Sequence, residues 1–265
     1  MAGVLAGRRG VVLGVANERS LAWGIAQAAA REGAELAFTF GAPVLEKRVR
    51  PLAAQAGSQL VFPCDVQDDV QIDDVFAAIQ EEWGGLDFVV HAVAFADREE
   101  LRGEFLETSR EGFRLAMEVS AYSLVAVARR AVPLIKEGGS LLTLSYLGAE
   151  RTVPHYNVMG VAKAALEASV RYLAADVGPR GVRVNGISAG PVRTLAAAGV
   201  GGFHAVLDWY AAAAPLRRAT TQQEVGDAAL VLLSDWGRGI TGEILHVDSG
   251  YHSVGVPPTI GDTVG

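Results

Sequence analysis

Apolar residues along the chain fall into short unbroken runs that alternate with longer stretches at helical spacing. Residues 10–16 are apolar or glycine throughout, the pattern of a strand covered on both faces. Leu21–Arg31 has helical spacing with Ser20 placed to cap it, and Gly33 ends it. Glu35–Phe40 reads as a second strand, residues 43–56 as a helix, and residues 59–64 as a third strand. Asp69–Trp83 predicts a helix, Leu86–His91 a fourth strand, residues 109–132 one long helix and residues 139–145 a fifth strand. A helix then opens near Pro154 and runs from about 155 to 177, since proline is tolerated where the first amide has no acceptor. Residues 182–188 and 243–248 supply the sixth and seventh strands.

Strands and helices alternating at this rhythm require a parallel sheet with helices on both faces, an α/β doubly wound architecture. Right-handed crossovers put the strand C-termini on one edge, where such folds bind ligands. No linker or repeat divides residues 1–265, so a single domain is expected. The alanine- and glycine-rich piece at 196–214 is the one unusual insertion.

Bulk composition narrows the function. Half of the 265 residues are hydrophobic, enough for a large core and for surface buried between subunits. A net charge of −7 without a basic stripe argues against nucleic acid as a partner. No apolar run reaches a membrane span, and the first residues lack the order of a secretory signal. One cysteine, Cys64, fits a reducing cytoplasm. The five histidines have no ligand spacing, so no metal is expected.

Five stretches fall at strand C-termini. Gly14 through Gly24 occupies the first strand-to-helix turn, where glycine admits a pyrophosphate and the helix supplies amides. Its spacing is looser than the usual dinucleotide fingerprint, and a turn serving chain geometry alone is the alternative. The second strand ends at Phe40-Gly41-Ala42 without an acid for a ribose 2′-hydroxyl, and Lys47 and Arg48 are the only cations nearby. Asp65-Val66 offers a carboxylate to an adenine amino group or, equally, a cap for the next helix. Small residues after His91 suit a backbone packed on ribose and nicotinamide, or a crowded core. Pro191 to Thr194 has amides and a hydroxyl to close over the dinucleotide, and the segment beyond it would form a substrate lid.

Tyr156 and Lys163 are seven residues apart, so two helical turns return them to nearly one face, roughly 10 Å apart along the axis. An ammonium on the phenol's own face would lower the tyrosine pKa and suit an acid that steadies an oxyanion. Gly160 between them would let a flat ligand approach the backbone. The alternative is an amphipathic helix with a tyrosine on its apolar side and a solvated lysine.

Tyr146, Tyr156 and Lys163 together give a Tyr-x6-Lys pattern with a second tyrosine ten residues earlier. With Ser145 to Arg151 before it and Arg183 to Thr194 after it, the arrangement closely resembles the bacterial NADH-dependent enoyl-acyl-carrier-protein reductases, within the short-chain dehydrogenase/reductase superfamily. The likeness runs from Gly14 through the last strand. It implies a Rossmann-like seven-stranded sheet, with a lid at about 192–214. It implies reduction of a trans-2-enoyl thioester in fatty-acid synthesis, with NADH preferred over NADPH. Tyr156 would hold the enolate oxygen and Lys163 the nicotinamide ribose, with Tyr146 as a further catalytic residue. Gly14, Ser20, Leu21, Asp65, Val66, Val93, Val192, Arg193, Thr194, Leu195 and Ala196 would line the cofactor. Ala96, Tyr146, Tyr156 and Met159 would face the substrate. A thioester carried by acyl carrier protein, a cytoplasmic homotetramer and no stable membrane association complete the expectation.

Three departures stand out: Ala92 and Ala94 after the fourth strand, where the family commonly has serine and glycine; Ser249, where it has glycine; and a lid stretch from Gly199 to Leu207 that holds His204 but no lysine or arginine. Arg217 and Arg218 are the substitutes available for an acidic carrier. Two competing functions remain. A carbonyl-reducing relative would place a serine about thirteen residues before the tyrosine, where this chain has Thr143. A non-catalytic dinucleotide sensor would keep the glycine turn without needing Tyr156 and Lys163.

Overall fold

The computed structural model describes residues 2–192 and 203–255. Its seven strands are β1 (Arg9–Leu13), β2 (Glu35–Phe40), β3 (Val61–Pro63), β4 (Leu86–His91), β5 (Ile135–Ser145), β6 (Arg183–Ala189) and β7 (Ile244–Val247). They form one parallel sheet in the order β3-β2-β1-β4-β5-β6-β7. Between them run α1 (Leu21–Arg31), α2 (Pro43–Gln55), α3 (Asp69–Trp83), α4 (Arg110–Met117), α5 (Ser123–Ala131), α6 (Asn157–Val177), α7 (Phe203–Ala213) and α8 (Gln222–Leu233).

The chain builds outward from β1 to β3, then returns to lay β4 on the other side of β1. That reversal opens a crevice at the strand C-termini. Register brings those ends level: Leu13 pairs with His91, His91 with Thr143, and Ser145 with Ser188. Successive residues of each strand face opposite layers. Val12, Phe38, Leu142 and Ile187 pack with α1 and α8, while Val11, Leu13, Leu141 and Val184 pack with α3, α5 and α6. Burial on both faces explains the unbroken apolar runs.

Strand and helix boundaries at α1, β2, α3 and β4 stand where the hydrophobic pattern puts them. Four expectations change. The long helix at 109–132 is divided by a widened π turn at Glu118–Tyr122, a feature often found at functional sites. Pro154 lies outside α6, which begins at Asn157. Ser20 occupies the N-cap of α1, but its hydroxyl turns back to Asn17 and makes no cap bond. Asp68, not Asp65, caps α3 through the amides of Val70 and Gln71.

Two helices lie outside the alternating pattern. Within the expected lid, residues 203–213 form α7, while 193–202 are outside the described residues. α8 begins with a capping box between Thr221 and Glu224 and crosses α1 at contact distance. A Cβ on Gly226 would stand 2.5 Å from the Gly24 carbonyl oxygen. Gly226→Ala is therefore expected to force α1 and α8 apart, costing about 1–3 kcal/mol and lowering the thermal midpoint by roughly 2–10 °C. Gly178→Ala, with nothing within 4 Å of the added carbon, should leave it unchanged; thermal denaturation of both variants reads the difference.

Candidate active site

Lys163 sits at the centre of the crevice. It is 6% exposed on α6, and its Nζ donates to the Leu144 carbonyl oxygen at 2.7 Å, near the C-terminal end of β5. Burial lowers its pKa to about 8, opposed by the charge of Glu167 one turn further along α6. The next residue of β5, Ser145, donates to Glu167 Oε1 at 2.5 Å. Consecutive strand-end residues thus hold consecutive turns of α6. The alternative of a solvated lysine is excluded by this burial. Glu167 itself is buried and its pKa is raised by desolvation, with Glu150 adding to the rise and His246 and Arg171 opposing it.

Tyr156 stands at the N-cap of α6 with φ −97° and ψ −25°. His155 at φ 62° and Asn157 at φ 39° flank it, two non-glycine residues in left-handed conformation, strain of a kind that clusters at active sites. Asn157 Nδ2 ties this corner to the Glu100 and Gly103 carbonyls at 3.3 and 3.4 Å. Burial raises the Tyr156 pKa, and Tyr146 and Glu167 add to the rise. The expected lowering by Lys163 is thus not found: desolvation is the largest effect on the phenol, and the ammonium is not among the groups that shift it. Gly160 also has a different role. Its missing Cβ would stand 2.8 Å from the Gly148 carbonyl, so glycine there admits the preceding loop. Gly148 in turn lies under Tyr156, whose Cδ1 would be 2.4 Å from an added methyl.

Tyr146 follows β5 directly and meets Tyr156 edge to face, ring centroids 5.0 Å apart. Its hydroxyl is 3.0 Å from that of Tyr210 on α7, and Tyr210 stacks on Tyr251 at 3.8 Å. Tyr210 and Tyr251 carried no local sequence signal, because the sheet edge alone brings residues 146, 210 and 251 together.

At the end of β4, His91 is 1% exposed, with Nδ1 3.0 Å from Thr143 Oγ1 and Nε2 2.9 Å from Ser123 Oγ. Burial, reinforced by Lys163, lowers its pKa to about 3 and keeps it neutral. Ser120, in the π turn, bonds both the amide and the carbonyl of Phe95 and reaches Met159 Sδ at 3.7 Å. These contacts fix the loop that carries Val93, Ala94 and Ala96. Ala94 is exposed and Val93 and Ala96 are half-buried on it, while Met159 is buried under α6.

Gly14 has φ +97°, and a Cβ there would stand 2.1 Å from the Ala92 carbonyl oxygen, so the crevice floor between β1 and β4 requires glycine. Because the Ser20 hydroxyl accepts from the Ala16 and Asn17 amides, α1 has neither a side-chain cap nor an acid in its first turn. Its positive end, starting at half-buried Leu21, is suited to a pyrophosphate. Asp65 Oδ1 accepts from the Gln67 amide at 3.0 Å and Val66 is buried, both beyond β3. Val192, half-buried, follows β6; Arg193, Thr194, Leu195 and Ala196 lie outside the described residues. The donor set fits a dinucleotide: an uncapped helix end, a glycine floor and a buried ammonium along one edge. Lys47 and Arg48 are exposed on α2. No group of three or more potential metal ligands occurs among the described residues.

Of the other departures, Ser249 takes φ 58°, the left-handed region that explains the family's glycine there. Arg217 donates to the Ala212 carbonyl, and Arg218 is paired with Glu224.

A family profile described as "Enoyl-(Acyl carrier protein) reductase" matches residues 14–252. The chain is 58% identical over 254 residues to the enoyl-[acyl-carrier-protein] reductase [NADH] 1 of Rhizobium meliloti, covering 96% of this chain and 93% of that one. It is 56% identical over 254 residues to the Bacillus cereus enzyme of that name, covering 95% and 99%. The crystal structure of the Aquifex aeolicus reductase superimposes with a TM-score of 0.94 at 53% identity, covering 96% and 100%. That of Anaplasma phagocytophilum in complex with NAD does so with 0.94 at 56% identity, covering 98% and 99%. A buried lysine tied to β5, two tyrosines in edge contact above it and these whole-length likenesses lead to one assignment: the chain belongs to the enoyl-acyl-carrier-protein reductase family.

Proposed function

We propose that this chain is an NADH-dependent enoyl-acyl-carrier-protein reductase that saturates the 2,3-double bond of a trans-2-enoyl thioester in fatty-acid synthesis. The observation that carries the reading is the Tyr146–Tyr156 edge contact at the end of the strand whose Leu144 carbonyl holds the buried Lys163. Relatives across the length of the chain are named as NADH enzymes of this activity.

When bound, NADH supplies the hydride taken up at Cβ of the substrate. The chain's own groups manage charge. Tyr156, with its pKa raised by burial, keeps its proton and donates a hydrogen bond to the thioester oxygen as negative charge develops there. Lys163 holds the nicotinamide ribose hydroxyls through donor capacity beyond its bond to Leu144, and contributes positive potential. One proton taken up from solvent at Cα balances the hydride and completes the saturated product. Gly14, Ser20, Leu21, Asp65, Val66, Val93 and residues 192–196 hold the dinucleotide; Ala96, Tyr146, Tyr156 and Met159 face the acyl thioester, and residues 192–214 act as the lid over it.

Thr143 argues against the carbonyl-reducing alternative. It is 1% exposed, and its hydroxyl is committed to the ring and the carbonyl of His91, both at 3.0 Å. It therefore has no access to a substrate ketone. The partner is the carrier protein bearing the thioester. A homotetramer is supported by the exposed Val161 and Tyr172, three turns apart on one face of α6. No helix among the described residues is long and apolar enough to cross a membrane, in keeping with a cytoplasmic enzyme acting as one domain.

Tyr156→Phe should lower kcat for crotonyl-CoA at least tenfold while NADH affinity stays near wild type, whereas Lys163→Ala weakens NADH binding directly. Fluorescence titration and steady-state kinetics separate the two; equal NADH affinity in wild type and Lys163→Ala would remove the ribose role. Gly148→Ala should displace the Tyr156 ring and reduce kcat without unfolding the protein, as circular dichroism beside turnover would register. NADH affinity should fall as pH rises through about 8, where the buried ammonium loses its proton. Lys163→Met should flatten that dependence; a wild-type affinity constant from pH 7 to 10 would contradict it.

A further inference from the structure

Tyr210 belongs to none of the groups assigned above, yet it is 5% exposed and bonded directly to one of the two site tyrosines. Its ring is held from two sides: stacked on Tyr251 at 3.8 Å and 22°, and facing Tyr146 at 6.5 Å and 27°. The preceding residue, Trp209, donates from Nε1 to the Tyr251 hydroxyl at 3.2 Å. Two successive residues of α7 thus contact Tyr251 in the segment after β7, Trp209 at the Tyr251 hydroxyl and Tyr210 at the Tyr251 ring, while the Tyr210 hydroxyl lies 3.0 Å from Tyr146 Oη.

In a pair of phenols only one proton lies between the oxygens. If Tyr146 donated to Tyr210, its hydroxyl would have only lone pairs to offer an incoming acyl oxygen. If Tyr210 donates, Tyr146 accepts through a lone pair and retains its own proton for another acceptor. Burial raises the Tyr210 pKa, and Tyr146, Tyr251 and Asp248 add to the rise. At Tyr146 the bond from Tyr210 works in the opposite sense and favours the charged form. Burial keeps both phenols protonated, so the pair is a neutral hydrogen bond that ties the two rings together.

We propose that Tyr210 is a positioning residue for the reduction: the hydrogen bond between its hydroxyl and Tyr146 Oη fixes that ring against Tyr156 and orients the Tyr146 hydroxyl toward the substrate thioester oxygen. Through this bond α7, within the lid segment, is coupled to the reacting end of the acyl group. The inference rests on the enoyl-reductase reading and assigns to that site a positioning residue.

The test uses the full chain with NADH and crotonyl-CoA. Tyr210→Phe keeps the stacked ring and removes only the hydroxyl. Its kcat should fall about five- to tenfold, the scale of one hydrogen bond, with the KM for NADH and the thermal midpoint unchanged. Tyr146→Phe should itself be impaired, and Tyr146→Phe/Tyr210→Phe should be no slower than Tyr146→Phe alone, since the lost bond is the same one. Tyr251→Phe, which breaks the Trp209 bond and spares the phenol pair, should retain wild-type kcat. Wild-type kcat in Tyr210→Phe would overturn the proposal. So would an equal loss in both Tyr146 backgrounds, or a matching loss in Tyr251→Phe, which would reduce Tyr210 to packing. A wild type unable to oxidise NADH with crotonyl-CoA would overturn the reductase reading as well. An active wild type with an indifferent Tyr210→Phe overturns only this inference.

Discussion

A buried ammonium tied to a strand-end carbonyl governs the arrangement of everything near the crevice. Taking Lys163 out of water lowers its pKa from 10.5 to about 8. Between those values the unfolded chain binds a proton that the folded chain does not, so stability rises with pH across that window. At neutral pH the charge opposes folding by on the order of 3 kcal/mol. The group remains because the Leu144 carbonyl accepts from it and Glu167 stabilises its charge. Those contacts leave α6 little freedom to slide or turn against β5, and Ser145 bonded to Glu167 repeats the constraint one turn on. Tyr156, seven residues upstream, inherits its position from that anchorage.

The elements that the hydrophobic pattern resolves are those with a clear contrast between buried and solvent faces. α1, β2, α3 and β4 have it, each bounded by a glycine, a turn or a capping residue, and their limits match the sequence reading. α7 lacks it: its alanines satisfy either side of a helix equally. α8 was legible in principle, because Thr221 and Glu224 spell a capping box and the helix follows at once. The π turn had no signal. Its extra residue sets Ser120 on the loop after β4 and Ser123 on His91, contacts between residues 25 and 32 positions apart.

The candidate site divides in the same way. Tyr146, Tyr156 and Lys163 were recognisable because their spacing is a local property of the chain. Ser145, Glu167 and Tyr210 were not singled out, since their importance depends on which strand end meets which helix face. Local rules also mistook some roles. Gly160 was read as room for a ligand, but it makes room for the Gly148 carbonyl. The expected depression of the Tyr156 pKa assumed that a nearby positive charge outweighs burial, and here desolvation is the larger effect.

That balance bears on how the two tyrosines divide their work. A phenol that ionised easily would spend its proton before the substrate oxygen developed charge. Raised by burial, Tyr156 stays protonated throughout the pH range in which Lys163 is charged, so donor and field are present together. The position thirteen residues before Tyr156 is a threonine locked to His91, which cannot share the oxyanion as a serine would in a ketone reductase. A second donor must then come from another direction, and Tyr146 is the group the fold presents, edge-on to Tyr156 and braced from behind by α7. In the proposed reaction hydride enters at Cβ and charge collects three bonds away on the thioester oxygen, so a phenol placed after the strand suits the longer reach of a conjugated thioester better than a hydroxyl borne on the strand itself.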